Sequence, residues 1–488
     1  MEHRKQRQAP GKWPVLGRVL APWISALLLA WVIASPAVGA TIHVPSEQPT
    51  IQTGIDAAMD GDVVVVAPGV YTGSGNRDIQ FNGKAIELRS SGGRDVTIID
   101  CQGSPEDPHR GFNFYLTGET SASIVDGFTI ENGYGVEYGG GIQMAQSRPW
   151  VRNCRVRQCD SEFGGGGIDG GGGTLENVEF VSCSTNNFWG TAIDCQFLLS
   201  DSYGLSIWEG STLTRCVVAG NRRGLCLRAG GAGSHNLEDC TIVGNGGMGL
   251  EVQLTENSVL RNCTIAANQG YEVDFHNWGA SGVAFERCII WDFCPGVMDV
   301  RIPPNNGFIT FECCDVDPDR ILDQSENGLV IYIGPSIALD PLFCHPAECF
   351  AAPTMEGDYY LQPGSPCLAE SSPCGEQIGS LGGPCEISGV ADSEGVIPRL
   401  RLSFPSGVQG GGVLRYQLEG ETRTPMDAMI VDLRGRRIAS WRVDGGADGE
   451  LTWEFGEGGV HLRSGVYFLR VTAGGGANAA GKFVWVDR

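Results

Sequence analysis

At 488 residues the chain is too long for one ordinary compact core, so it holds two folded units or one unit extended by repeats. Its 72 glycines and only 19% charged residues, with no long helical periodicity, favour many short strands joined by tight turns. A formal net charge of −23 excludes nucleic acid as a partner, because such a surface repels phosphate.

The first 40 residues stand apart. Arg4, Lys5, Arg7, Lys12 and Arg18 precede a charge-free apolar run, residues 19–40, whose last small residues Val38 and Ala40 fit a secretory cleavage site. The alternative is an uncleaved membrane anchor, which Pro22 and Pro36 disfavour. Cleavage after Ala40 leaves 29 Lys+Arg against 56 Asp+Glu, a net charge of −27. The expectation is an exported or surface-displayed protein that meets cations or neutral glycans, with no membrane-spanning segment after cleavage. All 18 cysteines fall in that mature chain, where disulfides are permitted.

Next comes "PTIQTGIDAAMDGD" (49–62), in which Ile51, Ile55, Ala58 and Met59 share one face of a short helix that Gly61 stops. It is expected to cap the open N-terminal end of a stack of strands. "VVVVAPGVY" then reads as a buried strand.

From residue 125 one frame recurs: an apolar residue, two variable ones, a cysteine or apolar residue, one variable, then an aliphatic or Phe. It appears as "VDGFTI", "VRNCRV", "LENVEF", "LTRCVV", "LEDCTI", "LRNCTI", "FERCII" and "FECCDV". Its fourth position falls at Phe128, Cys154, Val178, Cys216, Cys240, Cys263, Cys288 and Cys314, a period of about 25 residues. The wider gap from 178 to 216 reads as an insertion of about 13 residues. Short-strand repeats of this length stack as a solenoid, with equivalent residues about 4.8 Å apart. The six cysteines of the frame then form an inward column of unpaired thiols. Asn221, Asn245 and Asn268, which close three of the repeats, form a ladder of turn amides.

On this frame the chain resembles the right-handed parallel β-helix proteins of the pectate-lyase-like superfamily, over residues 41–345. The resemblance implies a right-handed solenoid and an exported protein acting on or binding polysaccharide. The Asn-Thr-Asp, Asp-Asp, Gly-His-Gly and Arg-Ile-Lys motifs of the polygalacturonase group are absent, and "RIPPNN" (301–306) has Asn306 where pectate lyases carry their second arginine. This departure weakens transfer of the lyase mechanism, in which an arginine removes a proton beside a Ca²⁺-bound uronate.

Outward positions are the ones that meet a substrate. Those following the column cysteines (Val217, Ala219, Thr241, Val243, Thr264, Ala266, Ile289, Trp291) are too apolar for acid–base work and read as lying under a loop or against another chain. The next strand is different. After its inward aliphatic it places Gln143, Asp169, Asp194, Cys226, Glu251, Asp274 and Asp299, with Gln196, Arg228, Gln253, His276 and Arg301 at the following outward place. Stacked carboxylates raise one another's pKa or recruit a cation, and calcium takes oxygen ligands. The metal candidates are Asp194, Glu251, Asp274 and Asp299, and the catalytic candidates Asp274, His276, Arg228 and Arg301. Trp189, Trp208, Tyr271 and Trp278 flank them as sugar-stacking surfaces. Solvated charges that keep the solenoid soluble are the plain alternative.

Residues 346–385 read as a cysteine-rich C-terminal cap segment. Cys344, Cys349, Cys367, Cys374 and Cys385 are expected to form disulfides there; five is odd, so Cys313 or another cysteine completes a pair. After a linker (386–398), residues 399–488 alternate strands and turns as in a small Ig-like β-sandwich. The turn at Asp432–Arg436, the strand Ser464–Arg470 and the terminal Lys-x-Val resemble flagellar-cap-type Ig-like and type IX sorting domains, which implies export machinery as a partner. The whole is an all-β chain with three functional readings: polysaccharide binding through an outward acidic face, with Ca²⁺ as the possible cofactor; a polysaccharide lyase or glycoside hydrolase; or a structural, adhesive surface protein.

Overall fold

The frame repeats because each coil turns the same three corners. At the corner before each column cysteine the chain takes a left-handed residue: Asn153, Arg215, Asp239, Asn262, Arg287 and Cys313 all have φ between 49° and 55°. The following cysteine turns inward, and its thiol hydrogen has two carbonyls in reach. For Cys216 these are Ala192 O at 3.4 Å, on the previous coil, and Thr214 O at 3.5 Å; for Cys314, Phe285 O at 3.2 Å and Glu312 O at 3.4 Å. A narrow apolar side chain with one weak donor suits a corner that leaves carbonyls underused. Cys154, Cys216, Cys240, Cys263, Cys288 and Cys314 are all free and buried, as expected, and burial pushes the Cys154 thiol up to about 12.

The structure, a computed structural model, describes residues 39–381 apart from 209, 229–232, 254, 256, 277–280, 294–295, 305–306, 325–328 and 349–350, and the strand backbone between 399 and 485. The expected signal segment, save its last two residues, and the linker 386–398 lie outside the described residues. Among the described residues no helix is long and apolar enough to cross a membrane.

The strands between residues 41 and 333 form a parallel β-solenoid of about eleven turns. Each coil contributes up to three strands; two faces merge into one 21-stranded sheet and the third is a separate 11-stranded sheet. Register is kept by inward columns such as Val125, Val151, Leu175, Ala192, Leu213, Leu237, Leu260, Phe285 and Phe311. Phenylalanines stack where they become neighbours, as Phe180 on Phe197 with centroids 5.1 Å apart. The asparagine ladder is present: Asn221 Nδ2 donates to Asn245 Oδ1 at 3.0 Å and Asn245 Nδ2 to Asn268 Oδ1 at 2.8 Å, and Asn268 in turn meets Glu272.

The gap between 178 and 216 is not an insertion. The strand Gln196–Leu198 pairs with Glu179–Val181 on one side and Val217–Ala219 on the other, so an extra short coil sits there with Cys195 as its rung.

At the N-terminal end the strand Thr41–Val44 pairs with Val63–Val66, and the helix Ile51–Ala57 joins the same core through Ile51 and Ile55. A Cβ at Gly54 would stand 2.9 Å from Val44 and 3.0 Å from Val64, which is why glycine occupies that face. Met59, expected on the apolar face, is exposed because the helix ends at Ala57.

The segment 340–381, which includes most of the expected C-terminal cap segment 346–385, runs along the solenoid's flank as a strap. Phe343, Tyr359, Leu361, Leu368 and Ile378 pack on Leu198, Ala219, Val243, Ala266 and Ile289 of the 11-stranded sheet. The apolar stripe expected under a loop or another chain is therefore covered by this chain's own strap, and is not free for an adhesive contact. Gly379 N donates to Arg287 O at 2.8 Å and Ser380 N to Thr264 Oγ1 at 3.0 Å. A disulfide joins Cys374 to Cys313, the partner the odd count called for. Cys344 is also disulfide-bonded. Cys367 is not: it is buried and free, its thiol donating to Asp315 Oδ2 at 3.1 Å. Cys349 and Cys385 lie outside the described residues.

The chain divides into two compact units between residues 385 and 386. In the second unit the strand backbone forms a three-stranded antiparallel sheet (Arg399–Ser403, Gly411–Glu419, Asp448–Glu454) and a five-stranded sheet that includes Met426–Asp432, Arg437–Val443, Gly465–Ala473 and Asn478–Trp485.

Candidate functional site

One face of the larger sheet carries the polar column. Strand register aligns Asn113, Gln143, Asp169, Asn187, Ser206, Cys226, Glu251, Asp274, Arg301 and Leu322 on successive coils. Two expected members are elsewhere. Asp194 occupies the left-handed corner before Cys195 (φ 54°) and is clamped there by Arg215 at 2.7 and 2.8 Å; Asn187 and Ser206 take its place. Asp299 is one coil from Glu272, not from Asp274, because Val300 pairs with Val273. It is buried with Arg320 Nη2 at 3.0 Å from Oδ1, and burial pushes it up to about 8. Gln196 belongs to the other sheet. A second outward column, two residues on, begins Gly171–Trp189 and includes Arg228–Gln253.

The column also differs in character from the expected row of solvated acids. Glu251 alternates with the inward Leu250 and Val252, so it points away from the core as expected, yet it and Asp274 are only 1% exposed. Neighbouring side chains cover them. The Tyr203 hydroxyl donates to Glu251 Oε2, Gln253 Nε2 donates to Oε1, and His276 Nδ1 lies 3.2 Å from the same Oε1. Arg301 grips Asp274 with Nε at 2.6 Å and Nη2 at 2.7 Å, a bidentate pair. Burial raises the Asp274 pKa, and Arg301 works against that rise. Burial, then the bond to Glu251, pushes Tyr203 up to about 12.

What faces solvent is cationic and aromatic. Arg223 Nη1 donates to the Tyr203 hydroxyl at 2.8 Å. The Arg228 guanidinium lies over the rings of Tyr203 (5.5 Å) and Trp208 (5.3 Å), and that of Arg301 over Tyr271 (4.9 Å). Arg228 Nε also meets Cys226 Sγ at 3.3 Å. Beside Arg301 opens a cleft of about 210 Å³ lined by Phe275, His276, Pro303, Pro304 and Gln324.

The structure thus joins the candidates Glu251, Asp274, His276, Arg228 and Arg301 in one network and removes Asp194 and Asp299 from it. Sequence reasoning missed Tyr203 and Arg223. Their signal is the extra rung between Val178 and Cys216, which looks like inserted sequence until its strand pairing is known. Trp278 and Asn306 lie outside the described residues. As a calcium row the column fails on its donors: Glu251 and Asp274 are already engaged by Tyr203, Gln253 and Arg301. Among the described residues no three His, Cys, Asp or Glu side chains are placed to hold a metal ion.

Among curated proteins there is no match to this chain. Among solved structures it is similar to the A-module of mannuronan C-5 epimerase AlgE6 from Azotobacter vinelandii, at 13% identity, TM-score 0.34, over 58% of this chain and 94% of that one. It is similar to a double mutant of the periplasmic alginate epimerase AlgG, at 10% identity, TM-score 0.32, over 61% and 84%. A third is the tailspike gp49, a capsular polysaccharide depolymerase, from Acinetobacter baumannii bacteriophage Fri1, at 11% identity, TM-score 0.26, over 90% and 83%. The family described as right handed beta helix region matches residues 190–311, a stretch that contains every residue of the Tyr203–Arg301 network.

Proposed function

We propose that the chain is an exported protein that binds polysaccharide along the face running from Gln143 to Arg301. One observation carries this reading: the buried carboxylates Glu251 and Asp274 anchor Tyr203, His276 and Arg301, and the guanidinium groups of Arg223, Arg228 and Arg301 lie over the rings of Tyr203, Trp208 and Tyr271. Guanidinium groups recognise carboxylates bidentately, and flat rings offer a surface to sugars. A glycan bearing carboxylates suits this row better than the neutral glycan or cation suggested by the overall negative charge. The signal at residues 1–40 would deliver the protein, the helix Ile51–Ala57 would cap the solenoid, and residues 399–488 would act as an Ig-like attachment or sorting module.

The test is a glycan array, with and without calcium, on the full chain lacking residues 1–40. Arg223→Ala with Arg228→Ala should weaken the strongest hit at least tenfold; unchanged binding by the folded variant removes the groove from the proposal.

A second reading, cleavage of the bound polysaccharide, is favoured by Tyr203 and Asp274, which hold their protons more tightly than in water, beside His276. Release of reducing ends or unsaturated uronides from a polysaccharide panel, lost in His276→Ala, would establish it. No release from any glycan that binds would dismiss it.

A further inference from the structure

Towards the N-terminal end of the same face, the two coils that supply Gln143 and Asp169 each make a short excursion before their groove strand. The excursions are fixed to each other. Tyr134–Gly135 pairs in parallel with Asp160–Ser161, Tyr138 bridges to Gly164, and Phe163 N donates to Glu137 O at 3.0 Å. Their outer surface carries Tyr138 and Phe163, rings 6.0 Å apart and tilted by 56°, and Val136 is exposed as well. Phe163 is 64% exposed and Tyr138 39%. Paired backbone holds the two rings side by side at the surface, where their flat apolar faces are open to a ligand.

Their position says what they contact. Gly139 and Gly165 (φ +68° and +67°) fold the excursions back so tightly that an added Cβ would stand 2.7 Å from Gln143 Cβ and 2.6 Å from Asp169 Cβ. The aromatic ledge therefore forms a rim directly beside the outward column. The floor next to it is polar: Arg110 donates to Gln143 Oε1, and Asn187 Nδ2 lies 3.4 Å from Asp169 Oδ1. An apolar wall over amide and carboxylate groups matches a pyranose ring, which has apolar C–H faces and hydroxyls at its edge. Glu137, Asp160 and Glu162 are exposed around the ledge, which disfavours an anionic membrane, sets like charges together in any two-fold pairing of copies, and favours an uncharged sugar unit over a uronate at this end of the face.

We infer that the Tyr138–Phe163 ledge, with Gln143 and Asp169, is a second sugar-binding subsite on the track that leads to the Glu251–Asp274 network. This rests on the polysaccharide reading of that face. From Asp169 to Glu251 the column advances four rungs, through Asn187, Ser206 and Cys226, or about 19 Å at the strand spacing. A short oligosaccharide occupies one site; a long one spans both and gains affinity from the linkage.

The full chain lacking residues 1–40 would be titrated with oligomannuronates of two and eight units, beside cello-oligosaccharides of the same lengths. The wild type should bind the octamer of one series at least tenfold more tightly than its dimer. Tyr138→Ala with Phe163→Ala should bring the octamer's affinity down to that of the dimer, and Phe163→Leu, which keeps bulk without a ring, should lose most of the gain. A double variant that melts as the wild type and keeps the full gain overturns the ledge while leaving the groove standing. Self-association of the wild type that the double variant abolishes makes the ledge a contact between copies and overturns it too. Failure of every oligomer to bind the wild type overturns both.

Discussion

The Cys313–Cys374 disulfide should control the strap and not the solenoid. Replacing both cysteines by serine opens a loop spanning 61 residues of sequence separation. In the chain-entropy account, closing a loop of that length contributes about 4 kcal/mol, a factor of roughly a thousand in an equilibrium constant. The cost falls on strap docking because the solenoid's own columns do not pass through this bond. The assay is amide hydrogen exchange in the Cys313→Ser, Cys374→Ser protein. Strap amides such as Ile378 N (to Cys367 O), Gly379 N (to Arg287 O) and Thr354 N (to Gly244 O) should exchange up to about a thousandfold faster than in the wild type. Rung amides such as Thr264 N, bonded to Cys240 O at 3.0 Å, should keep their protection. If strap and rung amides accelerate together, the strap is part of one cooperative unit with the solenoid. If neither changes, apolar packing alone holds the strap. Either result refutes the assignment.

Asn245→Ala should destabilise the solenoid by at least about 3 kcal/mol in denaturant titration, since it strips partners from Asn221, Val218 O and Asn268 at once. Arg301→Met should cost roughly 3 kcal/mol, the lower end for a broken buried pair because the guanidinium is half-buried, and adding Asp274→Asn should recover part of it. Stability should fall as pH rises from about 4 to 8: Asp169, Asp315 and Asp299 are raised to about 6, 7 and 8 by burial, so the folded chain keeps protons that the unfolded chain has already released. Their contribution is fully present below the unfolded pKa and lost as pH passes the folded one. Denaturation midpoints at the two ends of that window should converge in Asp299→Asn, Asp315→Asn; an undiminished slope assigns it to other groups.

The solenoid is legible because its period is written in residue types that a corner requires. A left-handed residue followed by a narrow inward one gives "NC", "DC" and "RC", and the amides of Asn221, Asn245 and Asn268 need one another. The same rule places Asp194, which stands directly before Cys195 as Asn153 stands before Cys154. By sequence it resembles the outward residue of a groove strand equally well, because an aliphatic precedes it in both settings. Asp299 misleads similarly: Arg301, flanked by Val300 and Ile302, is the true counterpart of Glu251 between Leu250 and Val252. The strap is half legible. Its target stripe shows as apolar outward positions, but what covers them is decided by contacts more than 100 residues apart, such as Thr241 with Ser380, and no periodicity encodes these. The burial of Glu251 is illegible for the same reason, since its cover, Tyr203, comes from two coils away.

The outward column differs at nearly every rung: asparagine, glutamine, aspartate, asparagine, serine, cysteine, glutamate, aspartate, arginine, leucine. A solenoid with identical rungs would be a ruler, offering a bound polymer many equivalent offsets and letting it creep one coil at a time. Here each one-coil shift exchanges every neighbour, so a filament lying on this face has a single lowest offset and a defined direction. The backbone repeats, while the side chains make each position an address.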